Sequence, residues 1–526
     1  MKVKSICIVG GGSSGWMTAA SLVKNCPDLS ITLVESTDIP TIGVGESTIG
    51  SINAYLDDLG LKDEDWMSFC NATYKTSIDF TDWDGKGTRV RYPFGNATYL
   101  GKYYPIDWFI KKALIGATKD EYADFAMGNA WMLRTNKLVK NSERIPGWNF
   151  YNDTAYHMDA SLFGEYLKKE YCKPRGVKHV IGSVSSISKK PDGSIKSIST
   201  LEGVEIEADL FVDCTGFASI LLGKEMGVPF ISFKDKLIND RAVAFRVPYT
   251  DKSVEMETAT NATTLCSGWV WNIPLWTRIG TGYVYSSRFL SEEEAEEEFR
   301  EYLTTERVPP IPAGVLDELK PLHVKINPGI HEKGWVKNVC AVGLSNGFIE
   351  PLESTGLMLT HDAIAHLINI LQGRDEHLIN GYDISTFNRR IRRSMQNFSG
   401  FIASHFALAE RSDSPYWKYV TEELDYTDSD AEEWQYLRWV TDTLGSSSNW
   451  GEIGVDSGVP YIVAGMGYNP ITKRQVEQMY GPNIEEAYTL AEEVKGDIAS
   501  HKINQLKYME ELPTHYQYLK DNIYES

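Results

Sequence analysis

Apolar and polar positions change their period twice within the first 35 residues. Val3 to Val9 is a short, β-branched apolar run that stops at three glycines, which reads as a buried strand. Trp16 to Lys24 follows as a helix, and Ile31 to Glu35 as a second strand. Strand, helix and strand in that order predict the opening βαβ unit of a doubly wound sheet. Further on, Asp159 to Tyr171 is helical, and Val177 to Ile206 breaks into short strands around a Pro191-Asp-Gly193 turn. Asp209 to Asp213 and Asn338 to Val342 are buried strands. Ala242 to Phe289 is strand-rich, and Val308 to Pro312 is a stiff connector. Gly356 to Leu371 reads as a helix with apolar positions at Leu357, Leu359, Ile364, Leu367, Ile368 and Leu371. From about residue 376 onward the pattern is mostly helical and acidic. The expected fold is α/β (α+β overall): a doubly wound module, an interleaved β-sheet region and a mostly helical C-terminal part.

Composition narrows the function classes. The 526 residues carry a net charge of −20, so nucleic acid is excluded as a partner, because phosphate binding needs clustered Lys and Arg. The acidic run Glu292 to Glu298 follows Ser291, which with Glu294 makes a capping box and hence a solvated helix start. Seven scattered cysteines, none in a CxxC pair, fit reduced cytosolic thiols and argue against a disulfide framework or a metal site. No uncharged apolar run is long enough to span a bilayer. A cytoplasmic protein without membrane contact is expected, and a homo-oligomer stays open.

The first glycine cluster gives the chemistry. Gly10-Gly11-Gly12-Ser13-Ser14-Gly15 is a G-x-G-x-x-G between a strand and a helix, and Glu35 stands twenty residues after Gly15 at the end of the next strand. Gly10 permits the tight turn, Gly12 close approach of backbone to a pyrophosphate, and Gly15 close helix–strand packing. The N–H groups of Ser13 and Ser14 open the helix toward the phosphates, and Glu35 would accept from a ribose hydroxyl. Two later segments, Asp209 to Gly216 and Val339-Cys-Ala-Val-Gly-Leu-Ser345, resemble those that flavoproteins of the p-hydroxybenzoate hydroxylase type place near the adenine and ribityl ends of FAD. Gly343 belongs to the second; Leu344 stands where that family commonly has Asp. With one nucleotide fingerprint only, a separate NAD(P)H-dependent flavin reductase is expected to supply reduced FAD.

Trp269-Val-Trp-Asn-Ile-Pro274 places two indoles two positions apart, on one face if the segment is a strand. Such a pair braces a sheet or, beside a flavin, forms a wall. Together with Gly43-Val44-Gly45-Glu46-Ser-Thr48 and Gly347-Phe-Ile-Glu-Pro-Leu-Glu-Ser-Thr-Gly356, it resembles the flavin-dependent halogenases of the tryptophan-halogenase type. Ala155-Tyr-His-Met-Asp159, Arg411-Ser-Asp-Ser-Pro-Tyr-Trp417 and Ala464-Gly-Met-Gly467 extend the likeness over nearly the whole chain.

The resemblance implies that reduced FAD and O2 form a flavin hydroperoxide, that halide attacks it, and that the resulting hypohalous acid passes to a lysine and then to an electron-rich aromatic molecule. By motif the lysine is Lys75 and its partner acid Glu353. Halide would lie against the N–H groups of Thr355 and Gly356, and Pro40 to Gly50 would be the strap over the flavin. Gly43, Val44, Gly45, Glu46, Gly343 and Gly356 would line the cofactor, and Trp269 and Trp271 would keep organic substrate off it. Within the family the likeness is to a marine phage-encoded member, which implies bromide or iodide. Taken alone, Lys75 is a solvated loop lysine, Glu353 a helix-start acid, and Glu350 its competitor. His157 reads as a structural histidine.

The implied organisation is an FAD and halide module over 1–375, with substrate-side segments at about 75–150 and 230–330, and a helical substrate-side module over 376–526. Free indoles or phenols are the expected substrates. Tyr103, Tyr104, Trp108 and Trp450 are aromatic candidates without a clear alignment. The rival functions are a two-component flavin aromatic hydroxylase and a non-catalytic flavin-binding protein.

Overall fold

The strand Ser5–Val9 lies inside a six-stranded sheet whose order is Trp335–Val336, Val339–Ala341, Leu210–Asp213, Ser5–Val9, Ser30–Glu35, Lys178–Ile181. All neighbours are parallel except the edge strand Trp335–Val336. The inner strands are mostly apolar because such a sheet is covered on both faces; Ile6, Cys7, Ile8, Leu210, Phe211 and Val212 are all buried. This is a computed structural model, and it describes residues 1–37, 43, 45–426, 458–469 and 471–525.

The contacts divide the chain into two compact units, Met1–Ala72 with His157–Ile238 and Ile326–Ser399, and Thr73–Tyr156 with Asn239–Lys325 and Gly400–Ser526. The first unit holds the six-stranded sheet. Its helix Ser13–Asn25 buries Gly15 through Leu22 and packs on the helix Gly356–Gln372. The helix read over Asp159 to Tyr171 is α-helical over Ala160–Tyr166 and continues in wider i→i+5 turns over Leu167–Cys172. Asp159 caps it by accepting from the N–H groups of Ser161 and Leu162.

The second unit is built on a seven-stranded sheet, in the order Leu322–Lys325, Arg241–Val247, Ile279–Tyr285, Gly268–Pro274, Ala259–Leu265, Ser77–Thr81, Arg89–Pro93. Only the Ala259–Leu265 to Ser77–Thr81 pair is parallel. The helix Glu292–Glu301 starts with the expected box: Glu294 N–H donates to Ser291 Oγ, and Ser291 N–H to the Glu294 carboxylate. The acidic run is not wholly solvated, however. Glu298 accepts from Cys266 N–H and from the Tyr283 hydroxyl, both at 2.9 Å, and so anchors the helix to the turn after Ala259–Leu265 and to the strand Ile279–Tyr285.

Two of the recognised motifs serve this unit's packing. In Arg411 to Trp417, Ser414 caps a turn by accepting from Trp417 N–H, and the buried Trp417 donates its indole N–H to Leu265 O at 2.7 Å. In Ala464 to Gly467, a Cβ on Gly465 would stand 2.2 Å from Val90 Cγ1, so the helix Val459–Gly465 needs glycine to lie on the strand Arg89–Pro93. No helix among the described residues is long and apolar enough to cross a membrane, and no cluster of His, Cys, Asp and Glu among them could hold a metal.

Candidate functional site

The turn after Ser5–Val9 is shaped by what its glycines lack. Gly10 has φ +113°, and a Cβ there would sit 2.2 Å from the Cys214 carbonyl oxygen. A Cβ on Gly15 would sit 1.9 Å from the Gly10 oxygen, whereas one on Gly12, the residue before the helix, would meet nothing within 4 Å. The chain therefore presses against protein at Gly10 and Gly15 and opens outward at Gly12. No side chain caps the helix Ser13–Asn25, so its first N–H groups face outward for an anion. Ser13 Oγ is engaged with Ala160 O at 3.0 Å, leaving its backbone for that role. Gly343, at φ +76°, comes up to the same turn: a Cβ there would lie 2.3 Å from Ser14 Oγ. The two segments read separately as dinucleotide-binding thus meet, and these cradles fit the diphosphate and ribityl portions of FAD. Glu35 ends its strand with its carboxylate 2.7 Å from His179 Nε2 and 3.3 Å from Lys168 Nζ.

The strap and the halide segment also share the first unit. Gly43, Gly45 and Glu46 are described; Val44 and residues 40–42 lie outside the described residues. Glu46 and Ser47 pair with Met158 and His157, and His157 is fully buried, as a structural histidine should be. Burial, with the Asp159 charge second, pushes the Glu46 carboxyl up to about 7. Ser47 Oγ accepts from Ser354 Oγ at 3.0 Å, which ties the strap to the segment around Glu353.

Glu350 and Glu353 are 1% and 4% exposed, so burial does not choose between them. Ser354 is held at φ +57°, a conformation that costs about 1 kcal/mol or more outside glycine. It turns the chain so that Thr355 directly precedes the helix Gly356–Gln372. That helix has no side-chain cap and no acid in its first turn. Thr355 Oγ1 is buried with no hydrogen-bond partner, and a Cβ on Gly356 would meet nothing within 4 Å. An uncapped 17-residue helix beside an unsatisfied buried hydroxyl is a site suited to a small anion.

Lys75 and the indole pair fall in the second unit. Lys75 ends the strand Thr73–Lys75 and is 0% exposed, contrary to the solvated loop lysine that its local sequence suggests. Its Nζ lies 5.0 Å from the Phe94 ring centroid. The residues around it are tied down individually: Thr73 Oγ1 donates to Pro274 O at 2.6 Å, Tyr74 N–H to His515 Nε2 at 3.2 Å, and Thr76 N–H to Thr258 O at 2.7 Å. Pro274 ends the tryptophan strand, so the lysine strand and the indole strand are joined there.

Trp269 and Trp271 do share one face, with ring centroids 6.4 Å apart. Trp269 is core at 1% exposure. The Trp271 ring lies over Gly282, where a Cβ would clash at 2.3 Å, and its Nε1 is buried without a partner. Of the aromatic candidates, Tyr103 and Trp108 belong to the core and bond Asp497 and Glu121, and Tyr104 is 70% exposed. Trp450 lies outside the described residues. Sequence reading missed His515, which stands in no pattern of its own and is distinguished only by its contacts with the distant Tyr74 and Met256.

The tryptophan halogenase family model matches residues 5–480. The chain is 36% identical to the tryptophan 6-halogenase SttH of Streptomyces toxytricini over 433 residues, 78% of this chain and 80% of that one. It is 34% identical to the tryptophan 7-halogenase RebH of Lentzea aerocolonigenes, covering 79% and 78%. Among solved structures it is similar to apo VirX1, with a TM-score of 0.92, 41% identity and full coverage of both chains, and to SttH, with a TM-score of 0.82, 32% identity and 99% coverage of each. Glycine cradle, uncapped helix and buried lysine stand where this match runs, and the chain belongs to the tryptophan halogenase family, a family of flavin-dependent halogenases.

Proposed function

We propose that this protein halogenates a free, electron-rich aromatic molecule, an indole or phenol, with Lys75 as the halogen carrier and Glu353 as its partner acid. The observation that carries the reading is the complete burial of Lys75, rare for a lysine, at the position where the family resemblance puts the halogen carrier. Gly10, Gly12, the N–H groups of Ser13 and Ser14, Gly15, Glu35, Gly43, Gly45, Glu46 and Gly343 would hold FAD. Reduced FAD with O2 supplies the two-electron oxidation that turns halide into hypohalous acid, and a separate NAD(P)H-dependent reductase supplies the reduced flavin. Thr355 and Gly356 hold the halide by backbone N–H, helped by the Thr355 hydroxyl.

The relay runs through the neutral amine of Lys75, whose nitrogen lone pair is the nucleophile. The amine nitrogen takes the halogen from hypohalous acid, forming N–X and breaking HO–X, and the displaced hydroxide leaves as water with an amine proton. The aromatic carbon then takes the halogen from nitrogen, Glu353 accepts the ring proton, and the amine regains a proton. The indole pair keeps organic substrate from the flavin while halide passes. The likeness to a marine phage member favours bromide or iodide.

The test supplies FAD, a flavin reductase, NADH and each halide in turn to a panel of indoles and phenols, read by mass spectrometry. Halogen mass is expected; oxygen mass alone would establish the hydroxylase instead. Lys75→Ala should abolish halogenation while flavin oxidation continues, and normal halogenation by that variant would refute the relay. Glu353→Gln should slow product formation about 10²-fold or more with FAD binding intact; loss of FAD would make its role structural.

A further inference from the structure

We propose that His515 is a positioning residue for Lys75, holding the lysine strand in register from the C-terminal segment; this rests on the lysine relay. A backbone N–H can only donate, so His515 Nε2 must accept from Tyr74 N–H, at 3.2 Å. Nδ1 faces the Met256 carbonyl at 3.1 Å and must donate to it. One neutral tautomer meets both demands, and burial keeps the ring neutral by holding its pKa down to about 4.

The bonds close on themselves. His515 N–H donates to Asn136 O at 3.0 Å. The Asn136 amide donates to Met256 O at 3.1 Å and accepts from Thr258 N–H at 3.2 Å. Thr258 O in turn accepts from Thr76 N–H at 2.7 Å. Residues 74 and 76 are thus gripped on either side of Lys75 by one ring of hydrogen bonds.

Tyr74, facing away from Lys75 by strand alternation, packs on Phe150 and Tyr518 with centroids 5.0 and 6.0 Å away. A three-residue strand is too short to fix its own register, and the aim of a buried amine follows from the register.

The test compares His515→Leu, which fills the space without either bond, with His515→Gln, whose amide can accept and donate as the imidazole does. The readout is halogenated product per reduced FAD consumed, with hypohalous acid trapped by an added scavenger, and thermal melting alongside. His515→Leu should lower the product ratio on the order of tenfold and raise trapped hypohalous acid, with flavin oxidation unchanged. His515→Gln should return the ratio to within about twofold of wild type.

A wild-type ratio in His515→Leu, or a Gln variant no better than Leu at equal melting temperature, overturns the proposal. If His515→Leu does not fold, Asn136→Gly decides. Asn136 has φ +51°, so glycine keeps the turn while deleting two bonds of the ring. A reduced ratio supports the proposal and a wild-type ratio overturns it. Lys75→Ala in the same series separates the readings: halogenation by that variant fails the relay, whereas its loss beside an unaffected His515→Leu fails the positioning role alone.

Discussion

The glycine turn after Ser5–Val9 and the strand Thr73–Lys75 place their groups by different means. At the turn the working parts are backbone N–H groups, and their geometry follows from close approach where glycines lack a Cβ: Gly15 against Gly10 within the opening βαβ unit, and Gly10 against Cys214 and Gly343 against Ser14 at the ends of later strands of the same sheet. At the lysine the working part is a side-chain amine, and the backbone under it is held by residues 258, 274 and 515. A backbone site can be written in a local motif because it needs only dihedrals and missing Cβ atoms. A side-chain site needs a strand aimed and dried by the rest of its unit, and no short motif encodes that.

The strongest way to break this contrast is Gly10→Val. It imposes a Cβ 2.2 Å from a carbonyl and a β-branched residue at φ +113°, at a cost of roughly 3 kcal/mol or more. FAD binding by fluorescence and the melting temperature should fall together, because site and fold use the same atoms there. Lys75→Met should separate those quantities. Halogenated product should vanish, while FAD affinity stays and the melting temperature holds or rises, since a buried amine kept for chemistry is not needed for packing. A large drop in melting temperature would place Lys75 with the structural residues.

The indole pair divides along the same line. Trp271→Phe removes a buried donor that has no partner, so stability should stay within about 1 kcal/mol of wild type while flavin oxidation without halogenation increases. Trp269→Ala, at a core position, should cost about 3–5 kcal/mol in denaturant unfolding.

A further prediction concerns Glu46. Its folded pKa is raised to about 7, so the folded protein binds the proton more tightly than the unfolded chain. Its stabilising contribution is present in acid and is lost as pH rises through about 7, at on the order of 1 kcal/mol per pH unit over that window. Glu46→Gln in the apo protein should flatten melting temperature against pH between 5 and 7. An unchanged slope would remove Glu46 as the source.

The early strands and helices were legible because their periods and punctuation are local: the run to Val9 ends at glycines, and Gly356–Gln372 shows one apolar face. The capping box at Ser291 and Glu294 was equally local. Glu298 was misread with its acidic neighbours, because its partners, Cys266 in a turn and Tyr283 on a strand, lie outside its helix. Tyr103 and Trp108 looked like ligand-facing aromatics and became core, since aromatic content does not reveal which face is covered.

By itself the amino-acid sequence determined the βαβ opening, the glycine cradle and, through the joint order of its motifs, the family. Tertiary structure alone decided that Lys75 is buried, that Thr355 Oγ1 is left unsatisfied beside an uncapped helix, and that His515 faces Tyr74 across 441 positions. The physical reason is that burial and hydrogen-bond satisfaction are properties of the assembled surroundings. Backbone conformation, by contrast, is set largely by neighbouring residues and by the absence of a Cβ.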